Sequence, residues 1–212
     1  MPPRVLSTAA NPDWLEVAAA RLRSGGVVAV PTETVYGLAA SAFSPAGLAR
    51  LFDLKRREGQ KPLPLQVDSL KTAFGAGFRF APAAARLAMS FWPGPLTLVL
   101  PRPAALPAWY APERASVALR IPDHPVTLAL LKEVGVALAV SSANLSGEPP
   151  LTTASAVADL FADADDLLVV DGGRAEGGVA STVVEVSGAE PVLVREGPIP
   201  FARIVAVWRG LP

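Results

Sequence analysis

Val27-Val28-Ala29-Val30-Pro31-Thr32-Glu33-Thr34-Val35-Tyr36-Gly37-Leu38 is the stretch whose reading decides the fold. A short, wholly apolar run closed by a proline predicts a strand buried on both faces. Directly after it come two threonines, a glutamate and a glycine. In open α/β sheets ligands collect at strand C-termini, so this segment predicts a ligand-facing loop. Thr32 and Glu33 would equally serve to cap a following helix.

Outward from that strand the chain alternates between the two periodicities. Asn11-Pro12 followed by DWLEVAAARLR predicts a helix capped by Asn11 and stopped by Gly25-Gly26. Ser44-Pro45 opens a second helix, which ends in Lys55, Arg56 and Arg57 at its negative-dipole end. LPLQV (63–67), LTLVL (96–100), VALRI (117–121), VALAV (136–140) and LLVV (167–170) read as strands. DSLKTAFGAG, the run opened by Pro82, the run from His124 or Pro125 to Glu133, TASAVADLF and PFARIVAVWRG read as helices. STVVEV and PVLVREG predict an antiparallel pair near the end. The pattern implies an α/β fold, a twisted open mixed sheet with helices on both sides. One domain over residues 1–212 is expected, with its core at about 10–205.

Composition removes several classes of function. The 212 residues are 51% hydrophobic and 18% charged, which excludes intrinsic disorder. Nineteen cations balance nineteen anions, so bulk electrostatic binding of nucleic acid is not expected. With no cysteine, disulfides, thiolate metal sites and cysteine nucleophiles are out. A single histidine, His124, cannot build a histidine-rich metal site, and its Pro-Asp-His-Pro setting suggests a surface or capping role. No apolar run approaches the ~18–20 residues of a membrane span, and the N-terminus lacks a secretory apolar core. A cytoplasmic protein with no membrane partner is expected.

Charge is uneven. Between Arg50 and Arg86 stand Arg50, Lys55, Arg56, Arg57, Lys61, Lys71, Arg79 and Arg86 against Asp53, Glu58 and Asp68. A basic segment in a neutral protein can hold an anion locally; solvated helix faces would produce the same count. No G-x-x-x-x-G-K-[ST] or G-x-S-x-G occurs, and the Gly75-Ala76-Gly77 start of a dinucleotide fingerprint fails at Phe80. What remains is polar chemistry at strand ends: the Thr32–Leu38 segment, Lys55-Arg56-Arg57 with Lys61, Arg120, Ser141-Ser142-Ala143-Asn144-Leu145-Ser146-Gly147, the glycine-rich 171–182 segment and Arg195. Hydroxyls and cations without a histidine, cysteine or acid pair point to a site that works by positioning and charge neutralisation. Phosphoryl or nucleotidyl transfer has that requirement.

PTETVYGL, Lys55-x-Arg57 with Pro62-Leu63, FWPGPLTLVL, ALRIPDHP, SSANLSG, ASTVVEV and VREG occur in that order. The set closely resembles the YrdC-like family of threonylcarbamoyl-AMP synthases, in its short form. The resemblance implies a large basic cavity and a reaction of L-threonine, bicarbonate or carbon dioxide and ATP, with Mg2+. The products are threonylcarbamoyl-AMP and pyrophosphate; a tRNA-modifying threonylcarbamoyl transferase complex acts downstream, on the adenosine beside the anticodon. It also implies residue roles. Thr34, Gln66, Arg120 and Ser181 match threonine-binding positions; Lys55, Arg57, Lys61, Ser116, Val140, Ser142, Asn144 and Arg195 match nucleotide-binding ones, with Lys55 and Arg57 the catalytic cations. Glu58 stands where the family usually has proline, and Lys61 and Gln66 where some members have Asn and His. Alanine at Lys55 or Arg57 is expected to abolish adenylate formation and spare the fold. The competing readings are a tRNA- or double-stranded-RNA-binding module, or a paralogue with another acceptor; weak RNA binding is compatible with the synthase.

Overall fold

The computed structural model of the chain describes residues 1–56 and 63–211. Among them, ten strands form one sheet: β1 (Arg4–Ser7), β2 (Val28–Val30), β3 (Gly37–Ser41), β4 (Leu65–Gln66), β5 (Leu96–Pro101), β6 (Ser116–Arg120), β7 (Leu138–Ser142), β8 (Leu168–Asp171), β9 (Thr182–Glu185) and β10 (Val192–Arg195). Their spatial order is β1-β8-β2-β3-β7-β4-β6-β5-β9-β10. Parallel pairs (β1/β8, β2/β8, β4/β6, β5/β9) mix with antiparallel ones (β2/β3, β3/β7, β4/β7, β5/β6, β9/β10). The expected mixed sheet is therefore present, including the late antiparallel pair.

Seven helices accompany it: α1 (Trp14–Arg23), α2 (Pro45–Leu54), α3 (Leu70–Gly75), α4 (Pro82–Phe91), α5 (Pro125–Val134), α6 (Ala154–Leu160) and α7 (Phe201–Trp208). They cover both faces, and the strands show it by their period of two. Val28 and Val30 share a core with Ala18, Ala19 and Leu22 of α1 and with Leu130 and Leu131 of α5. Val27 and Ala29 belong to the other core, with Leu48 and Leu51 of α2 and Leu87 of α4. Such double burial explains why this strand reads as an unbroken apolar run.

Helix starts follow local chemistry. Ser44, Ser69 and Thr153 each accept a backbone N–H three residues on, at 3.1, 3.2 and 3.3 Å, and α2, α4 and α5 begin on proline. Asn11 does not cap α1. Asp13 holds the cap position, while Asn11 Oδ1 accepts the Ser7 amide at 2.9 Å, closing the turn after β1. His124 occupies the cap position of α5, where its carbonyl accepts the Leu128 amide at 2.9 Å and its side chain makes no cap hydrogen bond.

Two strands escape the sequence reading, β1 and β3. Gly37-Leu38-Ala39-Ala40-Ser41 has weak strand propensity, and its conformation comes from pairing with β2 and β7 on either side. No helix follows the Thr32–Leu38 segment, so the helix-capping alternative falls. LPLQV contracts to Leu65–Gln66, and VALAV is displaced to Leu138–Ser142. No helix among the described residues is long and apolar enough to cross a membrane.

Candidate active site

The loop after β2 is a closed hydrogen-bonded turn built on Thr32. Its hydroxyl donates to Val35 O at 2.6 Å and accepts the amides of Thr34 and Val35 at 3.2 and 3.1 Å. The hydroxyls of Thr32 and Thr34 lie 2.7 Å apart, a contact in which either can donate. Thr34 Oγ1 also accepts from Arg120 Nη2 at 3.1 Å, and Thr34 lines the cavity. The glycine-rich segment backs this turn. Gly177 and Gly178 donate to Glu33 O and Thr34 O at 3.1 and 2.8 Å, and a Cβ on Gly177 would sit 2.6 Å from Glu33 O. These two glycines therefore approach the protein's own threonine loop, not a ligand.

Arg120, at the end of β6, is 5% exposed. Its Nε donates to Gly94 O at 3.1 Å and its Nη2 meets Glu33 Oε1 at 2.6 Å. The latter is an ion pair without an aligned hydrogen bond, since neither Glu33 oxygen accepts one. Beside it, Gln66 is 5% exposed and its Oε1 has no partner. A buried carbonyl oxygen left unpaired carries a desolvation cost.

Lys55, the C-cap of α2, is 3% exposed. Its ammonium donates to Ser142 O, Asn144 O and Asn144 Oδ1 at 2.7, 2.6 and 2.7 Å. Ser142 Oγ donates to the same Asn144 Oδ1 at 2.6 Å, and Asn144 Nδ2 reaches Glu148 O. The Lys55 carbonyl in turn accepts from the amide and hydroxyl of Ser146 at 3.3 and 3.2 Å. Lysine and Ser-Asn loop hold each other.

Arg195, the last residue of β10, places Nε and Nη2 on Ser181 O at 3.2 and 2.8 Å and Nη2 on Ser181 Oγ at 3.2 Å. Burial and then the neighbouring Arg120 charge hold its pKa below the usual arginine value. Two guanidinium groups thus repel across one hollow, a condition that an incoming anion relieves.

These residues surround a cavity of about 420 Å³. Of the residues expected from the sequence, Thr34, Lys55, Gln66, Arg120, Val140, Ser142, Asn144, Ser181 and Arg195 line it. The Val140 amide donates to Pro64 O at 2.9 Å. Ser116 does not line it: it starts β6 opposite Pro101, four residues and about 13 Å of strand from Arg120. Arg57 and Lys61 lie outside the described residues. Sequence reasoning missed Thr97, a cavity residue 2% exposed in the middle of LTLVL. A lone hydroxyl inside an apolar strand was the available signal.

The lining is polar: Thr34, Gln66 and Arg120 sit side by side, and Lys55, Ser142, Asn144, Ser181 and Arg195 line the same cavity. Among the described residues no carboxylate lines the cavity and no cluster of metal-ligating side chains occurs. The described donor set does not fit a protein-held magnesium ion.

The family model Sua5_yciO_yrdC, described as "Telomere recombination", matches residues 20–197. The threonylcarbamoyl-AMP synthase of Pyrococcus abyssi is 38% identical over 196 residues, 92% of this chain and 57% of its own length. A putative threonylcarbamoyl-AMP synthase of Mycobacterium tuberculosis is 37% identical over 190 residues, 90% of this chain and 87% of its own. The chain thus spans little more than half of the archaeal relative and most of the mycobacterial one. The structure of P. abyssi Sua5 complexed with L-threonine superposes with a TM-score of 0.87 at 36% identity, covering 98% of this chain and 61% of that one. The motif order, the mixed sheet and a family match over most of the residues agree, and this chain belongs to the Sua5/YciO/YrdC family, the YrdC-like family of the threonylcarbamoyl-AMP synthases.

Proposed function

We propose that the chain is a nucleotidyltransferase that makes threonylcarbamoyl-AMP and pyrophosphate from L-threonine, bicarbonate or carbon dioxide, and ATP. The product serves the threonylcarbamoyladenosine modification of tRNA, and a threonylcarbamoyl transferase complex consumes it in the cytoplasm. What supports this reading is the convergence of Lys55, Arg120 and Arg195 with the hydroxyls of Thr34, Ser142 and Ser181 on one cavity. Guanidinium, ammonium and hydroxyl groups gathered there suit an amino-acid carboxylate beside the phosphates of a nucleotide.

In this reading the amine of threonine captures carbon dioxide as a carbamate. A carbamate oxygen attacks the α-phosphate, and the bond to pyrophosphate breaks. Arg120 pairs with the threonine carboxylate; Lys55, Arg57 and Arg195 offset the charge on the phosphates. No side chain forms a covalent intermediate. Magnesium arrives with the nucleotide as part of the substrate, and no step is derived through it.

Pyrophosphate release tests the proposal. With ATP and bicarbonate present, release is expected with L-threonine and not with alanine or valine. Release indifferent to the amino acid removes the substrate assignment.

A further inference from the structure

Ser181 Oγ has one proton and two lone pairs. One lone pair takes Arg195 Nη2 at 3.2 Å, and Thr97 Oγ1 lies 2.8 Å from the same oxygen. Neither hydroxyl has another partner among the described residues. Whichever of the two donates to the other, one proton of the pair is left over, and both residues line the cavity. Thr97 lies between Leu96 and Leu98, both buried, in β5. A β-branched apolar side chain would satisfy that interior position without the cost of burying a hydroxyl. The hydroxyl therefore needs a reason, and the leftover proton supplies one.

We propose that Thr97 is a ligand-site residue: Thr97, Ser181 and Arg195 form an oxyanion-binding triad in which the hydroxyl pair, backed by a guanidinium, presents its free proton to an anionic oxygen. Arg195 holds Ser181 through both its carbonyl and its hydroxyl, so the oxygens of the pair are fixed in place. Thr97 completes the pair: without its Oγ1 the second hydroxyl of the relay is gone and Ser181 is free to turn. The oxygen read is a carboxylate or carbamate on the amino-acid side, or a phosphate on the nucleotide side. The inference rests on the synthase reading for these two ligands.

Titration calorimetry of L-threonine and of MgATP, separately, on the wild-type protein, Thr97→Val and Thr97→Ser decides the matter. Thr97→Val, which keeps shape and removes the hydroxyl, is expected to lose about tenfold in affinity for one ligand and less than about twofold for the other. Thr97→Ser is expected to restore it, with little change in thermal midpoint for either variant. Loss on the threonine arm assigns the oxygen to the carboxylate; loss on the ATP arm assigns it to phosphate. Equal losses on both arms, no loss on either, or no rescue by serine overturns the triad. If Thr97→Val does not fold, Thr97→Ala carries the same comparison. Wild-type protein that binds neither ligand overturns both the triad and the synthase reading. Wild-type protein that binds both, yet releases no pyrophosphate with bicarbonate present, ends the synthase reading alone.

Discussion

Lys55 shows how a motif can mark a residue without revealing what holds it. Its place in Lys-x-Arg marks it as a phosphate ligand, and nothing in the sequence says that its ammonium is engaged by the Ser142–Asn144 loop. Each of those acceptors loses a charged donor if the side chain is cut back. Lys55→Met is therefore expected to cost about 3 kcal/mol of stability, read as a lower urea midpoint, besides any loss of activity. The expectation from sequence, an alanine variant that spares the fold, is checked by the same measurement. Thr34, Arg120, Ser142, Asn144, Ser181 and Arg195 were legible because their types and spacing carry the chemistry. Thr97 was not, because a strand position is read by its neighbours' hydropathy, and its hydroxyl acquires meaning only when β5 and β9 bring Ser181 alongside.

Elements were legible where the signal is local. Prolines at first helical positions mark α2, α4 and α5 correctly, with a serine cap before α2, and apolar runs mark β2 and β5. β3 is defined by its neighbours, and the two-residue slip of β7 carries its pairing into Ser141 and Ser142, so the nucleotide-side loop begins on the strand itself. Strand ends are also where the site is least tolerant. Gly197 packs its Cα against the backbone of Ser181 and Thr182, and a Cβ there would overlap the Thr182 nitrogen and the Ser181 carbonyl carbon. Backbone atoms cannot rotate away as a side chain can. Gly197→Ala is expected to destabilise by about 2–3 kcal/mol and to weaken threonine binding through displacement of Ser181. Chemical denaturation and ligand titration of the same variant check both.

Across the whole molecule, three buried titratable groups set the pH range of stability. Burial holds the His124 pKa below its ordinary 6.5, against the pull of Glu33 and Asp123. The unfolded chain binds that proton first, so stability falls as pH drops below about 6.5. Burial, and then Asp171, push Tyr36 up to about 12, and burial raises Tyr110 as well. Above about pH 10 the unfolded chain ionises while the native one keeps its protons, so stability declines there too. Urea midpoints at pH 5.5, 8 and 11 are expected to peak at the middle value, and Tyr110→Phe is expected to flatten the alkaline side. The described lining of the cavity, which holds no carboxylate or imidazole, bears on the reaction's own acidity dependence. Neither a threonine hydroxyl nor a glutamine amide is a base at neutral pH, so the surplus hydrogen on the attacking nitrogen is expected to depart to water or buffer. Turnover at subsaturating threonine should then climb with alkalinity along the free amino acid's own ionisation curve.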